Sequence, residues 1–283
     1  MAWLKAVSSL VSYSPSLNIS LITTTLTVAI SLMLYWWHKY PAIVLKNMTR
    51  FGLYLVGMKQ KFVDVKGLKL RYIEKGTKRK GVPSLFMLHG FSTDNNMYLP
   101  LVLFAIETGL TEQPFHILGT SLGGAISAVY SAMYPEDVAK ATLVCPAMMT
   151  PKETDFQREV KKGNCLLLGN SLDDVATIVD KCLYNKTILH KNKQILLAIA
   201  QQRAPHKDFY ERLFNVITEM IEERQEMFEE MLRSVQAPTQ LIWGKHDQVD
   251  VLEECGHIVS FDRPWYMAKI VREFMAYRDG LTE

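Results

Sequence analysis

The spacing of apolar and polar positions divides the chain into stretches with different periods. Residues 6–37 carry no charge, and their most apolar part, 17–37, is 21 residues long. At about 1.5 Å rise per residue such a helix spans roughly 30 Å, one hydrocarbon core. Tyr35, Trp36 and Trp37 close the run with aromatic side chains suited to a membrane interface. Residues 1–40 are therefore expected to form an N-terminal membrane anchor with its span at about 17–37. A cleaved leader would have a shorter apolar part and a small-residue cleavage site, which this run lacks. Residues 41–60 interleave Leu45, Met48, Phe51, Leu53, Leu55 and Met58 with basic side chains, as in an amphipathic linker on a membrane surface.

From residue 61 to 283 the pattern is that of an α/β domain. Two alternating runs, 61–65 and 68–73, flank Lys66-Gly67 and predict a β-hairpin. Continuous apolar runs at 83–88, 115–119 and 141–145 read as buried strands, with a helix over 122–134 stopped by Pro135. Residues 151–235 show no strand-like run but several amphipathic helices, one of them over 209–231, so this stretch is expected to be a helical cap. Strand character returns at 239–244, and a helix over 265–277 closes the chain. Strands alternating with helices imply a mostly parallel sheet interrupted by the helical insertion.

Composition narrows the classes. With 48% hydrophobic and 22% charged residues the chain is no disordered tail, and a net charge of +3 is too balanced to imply nucleic-acid binding. The charge is unevenly placed: twelve Lys/Arg face two acids, Asp64 and Glu74, between His38 and Lys80. That excess puts the part after the span on the cytoplasmic side. The sequons at Asn18, Asn47 and Asn185 are discounted accordingly. The four cysteines show no C-x-x-C spacing and the seven histidines no ligand spacing. A reducing compartment fits, and neither metal nor cofactor is expected.

Chemistry gathers at three places. Gly119-Thr120-Ser121-Leu122-Gly123 is a G-x-S-x-G sequence between a predicted strand and a predicted helix, the setting of a nucleophile elbow. Its glycines leave room for close backbone approach, so Ser121 is the expected nucleophile. His89-Gly90-Phe91 ends the preceding strand, where the Phe91 N–H, with the Leu122 N–H, would form an oxyanion hole. The His89 side chain itself is read as a buried structural one. Acid and base should follow in the order Asp, His. Asp247, at the end of the strand closing with Trp243-Gly244, is the expected acid, and His257 in Glu254-Cys255-Gly256-His257 the base. Asp250 and His246 are local rivals, whereas His116, His190 and His206 read as core or cap-surface histidines.

These residues resemble the α/β-hydrolase superfamily and, within it, the membrane-anchored monoacylglycerol lipases, over nearly everything from residue 60 onward. The matching stretches are 88–92, 119–124, 143–146, the cap segment 205–210, 242–249 and 255–257. The resemblance implies an α/β-hydrolase fold with a helical cap and a cytosol-facing serine hydrolase of monoacylglycerols and related lysophospholipids that needs no cofactor. Late endosomal or lysosomal membranes are possible locations on the same ground. Two departures stand out. Only 24 residues lie between Gly90 and Phe115, too few for the helix, strand and loop of the family, and nine separate Asp247 from His257. Both look like the loss of discrete blocks. The sheet is accordingly expected to be shortened, and its exposed edge and poorly supported base to lower activity and stability. The alternative is a catalytically impaired variant that keeps only the anchor and a lipid pocket.

Overall fold

Where the pattern alternates, the chain forms a hairpin of β1 (Lys59–Val65) and β2 (Leu68–Glu74), in register from Lys59 opposite Glu74 to Val65 opposite Leu68. Lys66 and Gly67 both have positive φ, 51° and 82°, as the tight turn of a twisted two-residue hairpin requires. The computed structural model describes residues 15–77, 83–99, 114–147, 158–160, 162–163, 165–185, 192–223, 225–244 and 256–276. The acid candidate Asp247, its rivals His246 and Asp250, and His190 lie outside the described residues.

A second sheet is wholly parallel, in the order β3 (Leu85–Leu88), β4 (Phe115–Thr120), β5 (Val138–Val144), β6 (Thr239–Ile242). The hairpin is not hydrogen-bonded to it. Among the described residues β3 therefore ends the sheet, and Phe86 is 52% exposed. This corrects the expectation of a buried strand: its run is apolar enough for burial, but no further strand flanks it. The hairpin is left with exposed Phe62, Val63, Leu68 and Leu70.

Period-two alternation splits the sheet's two faces. Ile117, Val138 and Ala141 form one cluster, joined by Tyr130 of α3 (Leu122–Met133). That helix turns a face of Gly123, Gly124, Ser127, Ala128 and Ser131 inward, small enough to lie close to the strands. Leu118, Val144 and Ile242 form the other cluster with Tyr98, Val259 and with Met267 and Val271 of α9 (Pro264–Ala276).

The cap comprises α4 (Leu172–Cys182), α5 (Lys193–Arg203), α6 (Lys207–Glu223) and α7 (Gln225–Arg233). The stretch expected to be helical over 209–231 is helical in both its described parts, residue 224 lying outside the described residues. Ser171 and Asp174 start α4 with a reciprocal capping pair, and the Ser171 hydroxyl and N–H hold the Asp174 carboxyl below its ordinary pKa. Val175, Val179, Leu183, Leu196 and Ala200 build a separate core between α4 and α5.

Preceding all this are α1 (Pro15–Lys39), exposed from residue 19 almost throughout, and α2 (Pro41–Leu55). Residues Ile19–Lys39 are long and apolar enough to cross a membrane. α2 packs against α5 of the cap. Gln202 Nε2 donates to Ala42 O over 3.3 Å, and Gln194 Nε2 lies 3.2 Å from His38 Nδ1.

Candidate active site

Ser121 stands between β4 and α3 with φ 54° and ψ −119°, a conformation that costs a non-glycine residue about 1–3 kcal/mol. The surroundings fix it. Its N–H donates to Val144 O over 2.9 Å, and its carbonyl accepts from Gly124, Ala125 and Ala147 at 2.9, 3.1 and 2.9 Å. At roughly 1 kcal/mol net each, four such bonds offset the strain. The flanking glycines are needed for space rather than for their φ. A Cβ on Gly119 would lie 2.0 Å from Gly123 O and 2.4 Å from Ser127 Oγ. One on Gly123 would lie 2.2 Å from Leu88 O and 2.6 Å from His89 O. The elbow is thereby jammed against the end of β3.

That end carries the second candidate. Gly90 is buried beside Ser121, a Cβ there meeting Ser121 Cβ at 3.3 Å. Phe91, proposed from sequence as an oxyanion donor, follows at once and is half-buried, as is Leu122 at the first turn of α3. The His89 side chain corrects its reading: it is exposed rather than buried, with Nδ1 2.9 Å from Gly90 O.

Two residues at this loop were not singled out from the sequence. Tyr98 is only 2% exposed; its hydroxyl donates to Leu88 O over 2.5 Å and lies 3.1 Å from Thr120 Oγ1, tying the ends of β3 and β4 beneath the elbow. Burial raises its pKa well above the ordinary phenol value. Arg203, 9% exposed at the end of α5, reaches from the cap to the same loop. It donates to Ser92 Oγ over 2.8 Å, to Gly169 O over 3.0 Å, and to Leu167 O. Ser92 itself has φ 53°. The Tyr210 ring lies 5.7 Å from the guanidinium and 5.9 Å from the Phe91 ring, and the Phe214 ring is 5.7 Å from Phe91. Burial lowers the Arg203 pKa from its usual value, without threatening its charge. A pattern of spaced apolar residues along α5 hides such a side chain, because its partners lie far away in sequence.

His257 is half-buried. Its neighbour Ile258 packs on the cap cluster, and Val259 is fully buried among Leu118, Val144, Cys145 and Ile242. The turn that follows, α8 (Val259–Asp262), rests against residues 95–98 after the Phe91 loop. Three of the five candidate residues, Ser121, Leu122 and Phe91, are thus brought together, and His257 stands on a loop wedged between cap and sheet. His116 is buried in β4 and His206 exposed on the cap, both as expected.

Comparison with known proteins extends the picture. The profile of the family Hydrolase_4, described as serine aminopeptidase, S33, matches residues 99–254. The chain is 27% identical to the monoacylglycerol lipase abhd6-B of Xenopus laevis, over 84% of this chain and 88% of that one. It is 27% identical to the monoacylglycerol lipase ABHD6 of Homo sapiens, with the same coverage. The Xenopus alignment runs over 301 positions, more than the 283 residues of the whole chain, while using only 84% of them. The difference is sequence that the relative has and this chain lacks. Among solved structures, a bacterial membrane phospholipase A superimposes with a TM-score of 0.71 at 20% identity, covering 91% of this chain and 98% of that one. A lipase from Acinetobacter baumannii AYE gives 0.71 at 16% identity, over 81% and 95%. The fold is that of the α/β-hydrolases.

Proposed function

The chain belongs to the Hydrolase_4 family, and on that premise we propose that it is a membrane-anchored serine hydrolase cleaving lipid esters, monoacylglycerols foremost. It is a serine ester hydrolase of the α/β-hydrolase type, related to monoacylglycerol lipases. The finer reading rests above all on the backbone of Ser121: a strained serine at a strand-to-helix turn, held by four main-chain bonds, is a device for presenting a hydroxyl.

In this reading Ser121 Oγ attacks the ester carbonyl while His257 takes its proton, and Asp247 orients the imidazole and stabilises its charged form. The negative charge on the carbonyl oxygen falls to the N–H groups of Phe91 and Leu122. Collapse breaks the ester bond, His257 returns the proton to the departing alcohol, and water then hydrolyses the acyl-Ser121 ester by the same route. Lipid as substrate is supported by the printed activity of the relatives and by the anchor. α1 feeds directly into α2, which packs on the cap, so the site would work close to a bilayer, facing the cytoplasm by the distribution of basic residues. Related lysophospholipids fall within the same substrate class.

A fluorophosphonate probe tests this, since it labels only an activated serine. Label should appear on Ser121 and vanish with Ser121→Ala, together with several orders of magnitude of ester hydrolysis. A Ser121→Ala chain that still turned over ester would overturn the assignment. The exposed β3 edge and the detached hairpin favour a second reading, a lipid-binding chain with an impaired triad. Absence of labelling in the unaltered, folded chain would select it.

A further inference from the structure

The base candidate His257 sits on a loop to which the sheet contributes no neighbouring strand among the described residues. The residue before it, Gly256, donates its N–H over 2.9 Å to Asp262 Oδ2. The same carboxylate oxygen accepts from Tyr184 N over 3.0 Å, and Oδ1 accepts from Asn185 N over 2.9 Å. On the other side of His257, the Ile258 N–H donates to Cys182 O over 3.1 Å. The loop is thus stitched on both flanks of His257 to one short segment, 182–185, where α4 ends. The fit is close as well as bonded: a Cβ on Gly256 would lie 2.8 Å from Cys182 O and 3.0 Å from Tyr184 N.

We propose that Asp262 is a positioning residue for the base, fastening the His257 loop to the cap in place of a paired strand. This rests on the reading of His257 as the general base. The physical case is that hydrogen bonds to a charged acceptor are stronger than neutral ones, at about 1.5–3 kcal/mol each. Three of them converge on one side chain from two segments more than seventy residues apart. An imidazole must be held within about 0.5 Å of its productive place, and a displacement of about 1 Å costs about a hundredfold in rate. A carboxylate that fixes the backbone one residue away acts on that scale. Asp262 does this without touching substrate or the reacting atoms, and it makes the geometry of the base depend on the cap being in place.

The test is a double-mutant cycle on the full chain in detergent micelles, hydrolysing a short soluble p-nitrophenyl ester. Asp262→Ala should lower kcat about 10- to 100-fold, leave KM within about twofold, and lower Tm by only a few degrees. Asp262→Asn, which keeps the shape and one acceptor, should retain an intermediate kcat and serves if the alanine variant does not fold. The deciding arm is the His257→Ala background. With the base gone there is nothing left to position, so Asp262→Ala should cost at most about twofold further. A full, multiplicative loss in that background would mark Asp262 as a merely structural residue and overturn the proposal. So would an active chain whose kcat Asp262→Ala leaves unchanged, while the function reading would stand. A folded chain without label or turnover overturns both.

Discussion

The loops of the candidate nucleophile Ser121 and the candidate base His257 are built on different principles. Ser121 is held from below by its own sheet: bonds to β5 and to the residues after it, glycines pressed on β3, and α3 lying on the strands through small residues. Every restraint on it is main chain or steric. His257 is held from above, through a carboxylate and a carbonyl that join it to the end of α4. The elbow therefore survives the loss of strands elsewhere, because its restraints are local and redundant. The His257 loop leans instead on the Asp262 carboxylate and on a main-chain bond to the end of α4.

Alanine substitution at glycines separates the two most sharply. Gly123→Ala would drive a Cβ to 2.2 Å from Leu88 O, main chain in a strand that cannot yield. A loss of more than about 3 kcal/mol is expected, enough to leave little folded chain, as judged by thermal melts. Gly256→Ala meets Cys182 O at 2.8 Å in a loop that can shift, so stability should fall by about 1–3 kcal/mol while kcat falls further than stability explains. Equal melts and equal activities for the two variants would dissolve the distinction.

What the sequence could show follows the same division. The elbow was legible because its glycines, serine, strand and helix are contiguous in 115–133. The hairpin was legible from alternation around Lys66-Gly67. The parallel sheet followed from apolar runs separated by helical ones. The edge position of β3 was not, because an apolar run reports only that a strand can be buried, whereas its neighbours are decided elsewhere in the chain. Arg203 and Asp262 gave no signal. Each is a charged side chain in or beside an amphipathic helix, where solvent exposure is the ordinary expectation. Their partners, Ser92 for the one and Tyr184 for the other, are distant in sequence. The lack of whole blocks relative to the family could be read from spacing alone, whereas the stitching of the base loop to α4 required coordinates.

Arg203 offers an intermediate case, since it connects the cap to the nucleophile side. Replacing it by Met preserves length and apolar stem but removes the donors to Ser92, Leu167 and Gly169. If the Phe91 loop, proposed to supply an oxyanion donor, is self-supporting like the elbow, kcat per labelled serine should not change. If it leans on the cap like the base, kcat should fall about tenfold, which is the outcome expected from the positive φ of Ser92 and the contacts of Phe91 with Tyr210 and Phe214. Active-site titration with a fluorophosphonate, followed by steady-state turnover, separates this from a simple loss of folded protein.

The smallest effect expected is a pH dependence confined to the elbow side. His116 lies in β4 at 5% exposure, its Nδ1 without a hydrogen-bond partner among the described residues. Burial, with the nearby Lys140 charge, lowers its pKa from 6.5 to about 4. The folded chain thus keeps this imidazole neutral where the unfolded chain would protonate it. Between about pH 6.5 and pH 4 the unfolded state binds a proton that the folded state refuses, so stability declines as pH falls through that window and is fully present above it. His116→Leu removes the term and should flatten the Tm-against-pH curve there by a few degrees, at some cost in packing that is the same at every pH. Turnover measured well below Tm should keep the same shape against pH in this variant, because the expected effect is on stability alone. A Tm curve unchanged in shape by His116→Leu would show that the elbow strand carries no pH limit of its own.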